Sequence, residues 1–230
     1  MNHLACLLLL SPCLALAQDT WKPIVKPKVV FEEQNNLVFL EAEYFYRQTH
    51  TPKRQWHIRG REAVHHNDAG AGAYIEVFPD TRRTHDDPLI PGENFSNQAG
   101  ELAVIYYKVY FHHPGRYYLW VRAFSTGTED NGVHAGLDGQ WPASGQRLQW
   151  CEGKNQWTWA SKQRTQANHC GEPFKIFLDI DRPGLHELQF SMREDGFRMD
   201  QMLLSTDPHF DPKNAPARPY VRKGKLPRLH

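Results

Sequence analysis

Leu37-Val38-Phe39-Leu40-Glu41-Ala42-Glu43 and Met192-Arg193-Glu194-Asp195-Gly196-Phe197-Arg198-Met199-Asp200-Gln201-Met202-Leu203-Leu204 lie at opposite ends of the apolar part of this chain. Each reads as a β-strand that carries carboxylates among branched and aromatic side chains. Between them lie further short apolar runs bounded by Gly, Pro, Asn or Asp. Together the expected strands are 37–42, 73–77, 102–111, 116–123, 133–137, 174–180, 185–192 and 197–204. No segment offers a sustained helical stripe. His112-His113-Pro114-Gly115 predicts a hairpin turn between 102–111 and 116–123, and Asp138-Gly139 and Pro183-Gly184 mark two further turns. Eight strands without intervening helices predict an all-β antiparallel sandwich or jelly roll. In such a fold the first and last strands meet, and their carboxylates can surround one cation.

The ends of the chain read differently. Leu7 to Leu10 form an apolar stretch, and Ala15-Leu16-Ala17 supplies small residues before Gln18, so residues 1–17 are expected to be a secretory signal. The stretch is too short to span a bilayer comfortably. Without the signal, Cys151 and Cys170 remain, an even pair expected to form a disulfide in an exported chain. It closes a loop of about twenty residues and contributes on the order of 3 kcal/mol in the chain-entropy model. Residues 18–36 read as an N-terminal extension, 37–206 as one domain, and 207–230 as a mobile basic Pro-rich tail. Asn94-Phe95-Ser96 is a glycosylation acceptor sequence if the source is eukaryotic. The net charge of +1 makes nucleic acid a poor partner.

Several motifs recur in a familiar order: Glu41-Ala42-Glu43, the run Pro114-Gly115-Arg116-Tyr117-Tyr118-Leu119-Trp120-Val121-Arg122, Gly136-Leu137-Asp138-Gly139, and Pro183-Gly184-Leu185-His186 before the strand of Asp200. Over about residues 37–206 this order resembles carbohydrate-binding modules of families 6 and 35, which are galactose-binding-like jelly rolls. It also resembles the C-terminal domain of family 115 glycoside hydrolases. The resemblance implies a non-catalytic, secreted protein that binds a polysaccharide or oligosaccharide. It further implies a structural calcium joining first strand to last through Glu41, Glu43 and Asp200. Direct chemistry agrees, since residues two apart on a strand share a face and calcium takes several carboxylate oxygens. The alternative is a solvated strand face whose acids pair with Arg198.

For the sugar surface, Trp157 and Trp159 share a strand face and can stack on pyranose rings, or pack as a small satellite core. Trp141 and Trp150 lie in the same insertion, 138–172, which the disulfide would hold in shape. Glu129-Asp130-Asn131 and Arg193-Glu194-Asp195-Gly196 are two polar loops that frame a pocket if they emerge from one edge. Arg122 and Arg193 would then favour acidic sugars through bidentate contacts, unless each pairs with a neighbouring acid. Metal catalysis by His65-His66-Asn67-Asp68 or His112-His113 is disfavoured, because adjacent side chains on a strand point to opposite faces. Glu129 or Asp130 with Glu194 offers a carboxylate pair for glycoside cleavage, and Gly-x-Ser-x-Gly is absent from the sequence. The expectation is therefore no enzyme. The alternatives are a glycan-active hydrolase or lyase on the same sandwich, and a protein-binding adhesion domain.

Overall fold

The computed structural model describes residues 20–49 and 53–228, so the expected signal segment lies outside the described residues. In chain order the strands are β1 (Val30–Glu32), β2 (Leu37–Glu41), β3 (Arg47–Gln48), β4 (Gln55–Arg59), β5 (Tyr74–Phe78), β6 (Val104–Phe111), β7 (Gly115–Phe124) and β8 (Gly132–Leu137). They continue as β9 (Leu148–Gln149), β10 (Trp157–Ala160), β11 (Lys162–Gln163), β12 (Glu172–Pro173), β13 (Phe177–Ile180), β14 (Gly184–Met192), β15 (Arg198–Ser205) and β16 (Val221–Lys223). Helical structure among the described residues is confined to three-residue 3-10 turns.

Two sheets face each other. The first runs β12-β11-β9-β8-β14-β6-β1-β16, with β3 added on β6. The second runs β10-β7-β15-β5-β4, with β13 on β7 and β2 on β15. The long pairs β6–β14, β8–β14 and β7–β15 are antiparallel, whereas β1 runs parallel to β6. Alternation explains the layers. Val38, Leu40, Ile75, Val77, Val121, Ala123, Met202 and Leu204 of the second sheet meet Ile105, Tyr107, Val109, Val133, Ala135, Leu188 and Phe190 of the first in one buried cluster. Each such side chain contributes about 1.5–3 kcal/mol by leaving water. As expected from the two carboxylate strands, β2 lies beside β15, with Glu41 opposite Gln201 and Leu37 opposite Ser205.

Several expectations are corrected. The chain from β6 to β7 is not a hairpin but an arch between the sheets. Each strand is central, β6 lying between β14 and β1 and β7 between β15 and its partners β10 and β13, so neither edge is left for the other. The buried Glu33 carboxylate pins the arch by accepting the amides of His112 and His113 at 2.9 and 3.2 Å. Residues 18–36 are no extension in their described part, because Val25, Val29 and Phe31 sit in the core. The 207–230 segment is no mobile tail either. β16 pairs with β1, Leu226 packs on the core, and the Tyr44 hydroxyl donates to the Pro227 carbonyl at 3.2 Å. Arg222 of β16 reaches Glu32 at 2.9 Å and caps the Tyr110 ring at 3.8 Å. β4 had no counterpart among the expected strands, since its apolar Trp56 and Ile58 alternate with polar Gln55, His57 and Arg59 over only five residues.

The disulfide is present, with Cys151 and Cys170 Cα atoms 5.4 Å apart. Asn94 of the acceptor sequence is buried. Its side chain accepts from the Ile90 amide at 2.8 Å and donates to the Pro88 carbonyl at 2.9 Å.

Candidate functional site

The outer face of the second sheet carries polar and aromatic side chains because its strands alternate. On β5, Ile75 and Val77 enter the core, which leaves Tyr74, Glu76 and Phe78 facing out. Across the strands Arg198 sits opposite Glu76, Phe124 opposite Arg198, and Trp157 opposite Phe124. Above this row opens a cleft of about 400 Å3, lined by Arg59, Tyr74, Glu76, Phe78 and Arg198 on its floor. Arg198 Nε lies 2.8 Å from Glu76, Arg59 Nε 3.3 Å from the other Glu76 oxygen, and Arg198 also reaches Asp130 at 3.4 Å.

Three loops wall the cleft. The turn after β7 is organised by Asp130, whose carboxylate accepts the Thr126 and Gly127 amides at 2.9 and 3.1 Å and the Thr126 hydroxyl at 2.7 Å. The segment after the cis peptide Phe78-Pro79 is anchored where Asp195 accepts the Thr81 amide at 2.8 Å and pairs with Arg54 at 2.8 Å. The third wall brings His65, stacked on Phe124 at 3.9 Å, and Val64, which is 87% exposed. Burial pushes the Glu76 and Asp80 carboxyls up, against Arg198 and Arg59 in the first case and helped by Asp195 in the second. Burial also opposes ionisation of Glu129, yet hydrogen bonds from Thr128 and the charge of Arg82 hold it below the usual range. Burial, then Arg198, depresses His65.

Of the residues singled out from sequence, Glu129, Asp130 and His65 line this cleft, and Trp157 lies beside it, edge-on to Tyr74 and Phe124 at 5.2 and 5.6 Å. The loops of Asn131 and Arg193-Glu194 do meet at one edge, but as a buried network. Glu194 accepts the Asn131 amide at 2.8 Å and pairs with Arg193, and all three residues are buried. Arg193 and Glu194 are thus committed to each other, and Glu194 is no partner for a cleavage pair. Arg122 is committed to Asp200 and to the Asp68 carbonyl at 3.1 Å. Trp159 shares its face with Trp157 but packs with Phe39, Trp120, Leu203 and Phe210, under the segment that follows β15. Trp141 belongs to the first sheet, over Gly136 of β8. Tyr74 was missed and Arg198 was named only as a partner for the strand acids, although alternation within 73–77 and 197–204 already places both outward; Phe78 lies one residue past the expected strand. For Arg59 and Arg82 no sequence signal exists.

The acids Glu41, Glu43 and Asp200 do come together. A register shift between Met199 and Gln201 inserts one extra residue, Asp200, so Asp200 and Gln201 both lie between the inward-facing Met199 and Met202. Glu43, however, leaves the strand, since β2 ends at Glu41 and Ala42–Tyr44 forms a 3-10 turn. All three are buried, and Asp200 accepts the Gly70 amide at 2.9 Å besides its pair with Arg122. Glu41 Oε2 and both Glu43 carboxylate oxygens have no hydrogen-bond partner. Burial, then Asp200, pushes Glu41 up to about 7; burial raises Asp200 to about 6 against Arg122; burial and Glu41 hold Glu43 well above the carboxylate range. A Cβ on Gly70 would collide with the Gln201 side-chain amide and stand 2.8 Å from Glu41 Oε2, so the bare backbone lets this loop lie close over the acids. Three orphaned carboxylate oxygens are a donor set that suits a hard cation. Glu41 and Glu43 fit calcium, while Asp200 is already neutralised by Arg122. No group of three metal-holding side chains is assembled among the described residues.

Residues 30–210 match the model of the glycosyl hydrolase family 115 C-terminal domain. The chain belongs to this family. The family 115 C-terminal domain described here is 51% identical over 216 residues to uncharacterized protein P23 of Formosa agariphila, covering 90% of this chain and 52% of that protein. It thus spans about half the length of that curated relative. Solved structures similar to it include a family 35 carbohydrate-binding module from Clostridium thermocellum, at 16% identity over 73% of this chain and 97% of that one, with a TM-score of 0.39. Another is the C-terminal family 6 module of a marine laminarinase from Zobellia galactanivorans, at 13% identity, 74% and 99% coverage, and a TM-score of 0.39. At this distance no residue role is carried across. No helix among the described residues is long and apolar enough to cross a membrane.

Proposed function

We propose that this chain is a secreted, non-catalytic carbohydrate-binding domain whose cleft over the outer face of the second sheet holds a polysaccharide or oligosaccharide. The observation that carries this reading is the cleft floor, where the half-buried Phe78 stands beside the ion-paired Glu76, Arg59 and Arg198, with Tyr74 buried at its base. Aromatic faces stack on the C–H faces of sugar rings, and charges already fixed by one another present hydrogen-bonding groups at little entropic cost. Membership of a family named for the C-terminal domain of glycoside hydrolases supports a glycan ligand. The Cys151–Cys170 disulfide supports an oxidising compartment outside the cytoplasm.

Acidic sugars lose the basis first expected for them, because Arg122 and Arg193 are both paired inside the protein. In the cleft, Arg59, Arg82, Arg83 and Arg198 are matched by Glu76, Asp80, Glu129 and Asp130, so its charge gives an anionic glycan no advantage. Calcium belongs to the same proposal, held by the orphaned oxygens of Glu41 and Glu43 beside Asp200. It would close β2 onto β15 and neutralise buried charge. One observation favours a second reading, a glycan-active enzyme: Asp80 is pushed up and Glu129 held down in one cleft, the pattern of an acid and a base.

Glycan-array binding of the wild type, Phe78→Ala and Arg59→Ala tests the proposal. Binding that falls about tenfold or more in both variants, with circular dichroism unchanged, is the expected result. A blank array, or variants that bind like the wild type, would contradict it. Release of reducing ends or unsaturated products from the bound polysaccharide would replace it with the enzyme reading.

A further inference from the structure

A second groove, of about 580 Å3, runs along the side of the sandwich where the β8 turn of the first sheet faces β13 of the second. Its volume falls within the roughly 300–1,000 Å3 of small-molecule sites. Leu137 and Leu178 line its base, Trp141 and Pro142 one wall, and Asp138, Gln140, Asp179, Asp181 and Arg182 its exposed rim. We infer that this groove is a separate glycan subsite in which Trp141 stacks on a neutral pyranose ring. The inference rests on the proposal that the chain binds carbohydrate, but it does not require the cleft beneath His65 and Arg198.

Trp141 is held as a rigid platform. Its indole lies against bare backbone at Gly100 and Gly136; a Cβ on Gly136 would stand 2.8 Å from Trp141 Cε3, and one on Gly100 would collide with Nε1. Gly136 is also closed to a side chain by the Gln140 carbonyl at 2.7 Å, and Gly100 by its φ of 83°, so the indole rests on two positions that stay bare. The Gln146 side chain donates to the Trp141 carbonyl at 2.7 Å. The turn before it is a two-residue Asp138-Gly139 reversal with φ of 50° and 77°, closed by Leu137 and Gln140 at 2.9 and 2.8 Å. Asp138 locks that turn to β14, accepting from the Glu187 amide at 2.7 Å and facing His186 Nδ1 at 2.7 Å. A half-buried Trp fixed this firmly gives contact area without losing rotamer freedom on binding.

The rim sets the ligand class. Three carboxylates, Asp138, Asp179 and Asp181, stand with one guanidinium, Arg182, which is spent on Asp181 at 3.1 Å, while Asp179 pairs with Arg116 at 2.9 Å, so no free guanidinium is left to hold an anion. Carboxylates accept hydrogen bonds from sugar hydroxyls and repel uronate or sulfate groups. The groove is therefore suited to neutral residues.

Nitrogen-15 NMR titration separates the two sites in one experiment. The probes are neutral β-linked trisaccharides of xylose, galactose, mannose and glucose, and an anionic triuronate. The Trp141 indole resonance, assigned with Trp141→Phe, reports the groove, and the Thr126 amide reports the cleft. At least one neutral trisaccharide is expected to move the Trp141 indole and the Asp179 amide, the triuronate to leave both still, and Trp141→Ala to weaken the binding read from the Asp179 amide about tenfold. Because Trp141→Ala alters packing, Gln140→Ala at the exposed rim serves as the second variant and is expected to weaken the same response. Movement of Thr126 alone would overturn the groove and leave the cleft standing. Movement of the indole alone would uphold the groove and contradict the cleft. Stillness of both, or an indole that answers only to the triuronate, would overturn this inference.

Discussion

Glu41, Glu43 and Asp200 are costly where they stand, and their cost has a direction in pH. Glu41 and Asp200, raised to about 7 and about 6, bind protons more tightly folded than unfolded. Their favourable share is complete below the unfolded carboxylate range near pH 4 and is lost as pH rises through 6 and 7. The metal-free protein is expected to lose roughly 2–3 kcal/mol per group between pH 4 and pH 8. Calcium needs ionised ligands, so the melting temperature gained on adding it is expected to grow over the same interval. Glu43→Gln is expected to stabilise the chelated protein at pH 8 and abolish the calcium response. Thermal melts with chelator and with calcium at pH 5 and pH 8 check this, and melts that ignore both would exclude the cation. That these three acids meet was legible, because carboxylates inside apolar strands at the two ends of a sandwich need each other or a cation. That Arg122 would be drawn to them was not, since nothing local distinguishes it from Arg198 or Arg193. The cavity partner of each arginine is a long-range choice of packing.

At the scale of elements, strand existence was most readable where the apolar pattern runs over eight or more positions, as in β6, β7, β14 and β15. Partnership was less readable. His112-His113-Pro114-Gly115 has the chemistry of a tight turn, but a turn does not say whether it returns the chain within a sheet or lifts it to the facing one. The choice is made by β14 and β15, which occupy the pairing edges that a hairpin would need. The C-terminal segment was misread for a related reason. Its composition is that of a solvated tail, yet Val221 and Leu226 are enough to seat it beside β1 and Val29, where Gly224 passes close to Val29. A chain ending at residue 216 is expected to lose about 2–4 kcal/mol and to melt several degrees lower. A truncated chain that melts with the full one would restore the free-tail reading.

The whole molecule assigns different tasks to different surfaces. Glu41, Glu43 and Asp200 would hold the proposed calcium between β2 and β15, and the return segment after β15 covers Trp159 and Trp120. The row from Trp157 to Glu76 stays open as a cleft, and Trp141 faces a groove at the other sheet. Ligand-bearing surfaces were the least legible part of the sequence, because Trp in a polar stretch looks alike whether it stacks on a sugar or on Leu203. Only the faces of the sheets sort Trp157, Trp159 and Trp141 from one another. The most direct test is a crystal structure of the protein soaked with the best array glycan. Continuous density for an uncleaved oligosaccharide across Phe78, Arg59 and Arg198 is the expected result. An empty cleft, with the glycan bound elsewhere or cut, would contradict a non-catalytic binding role for this face.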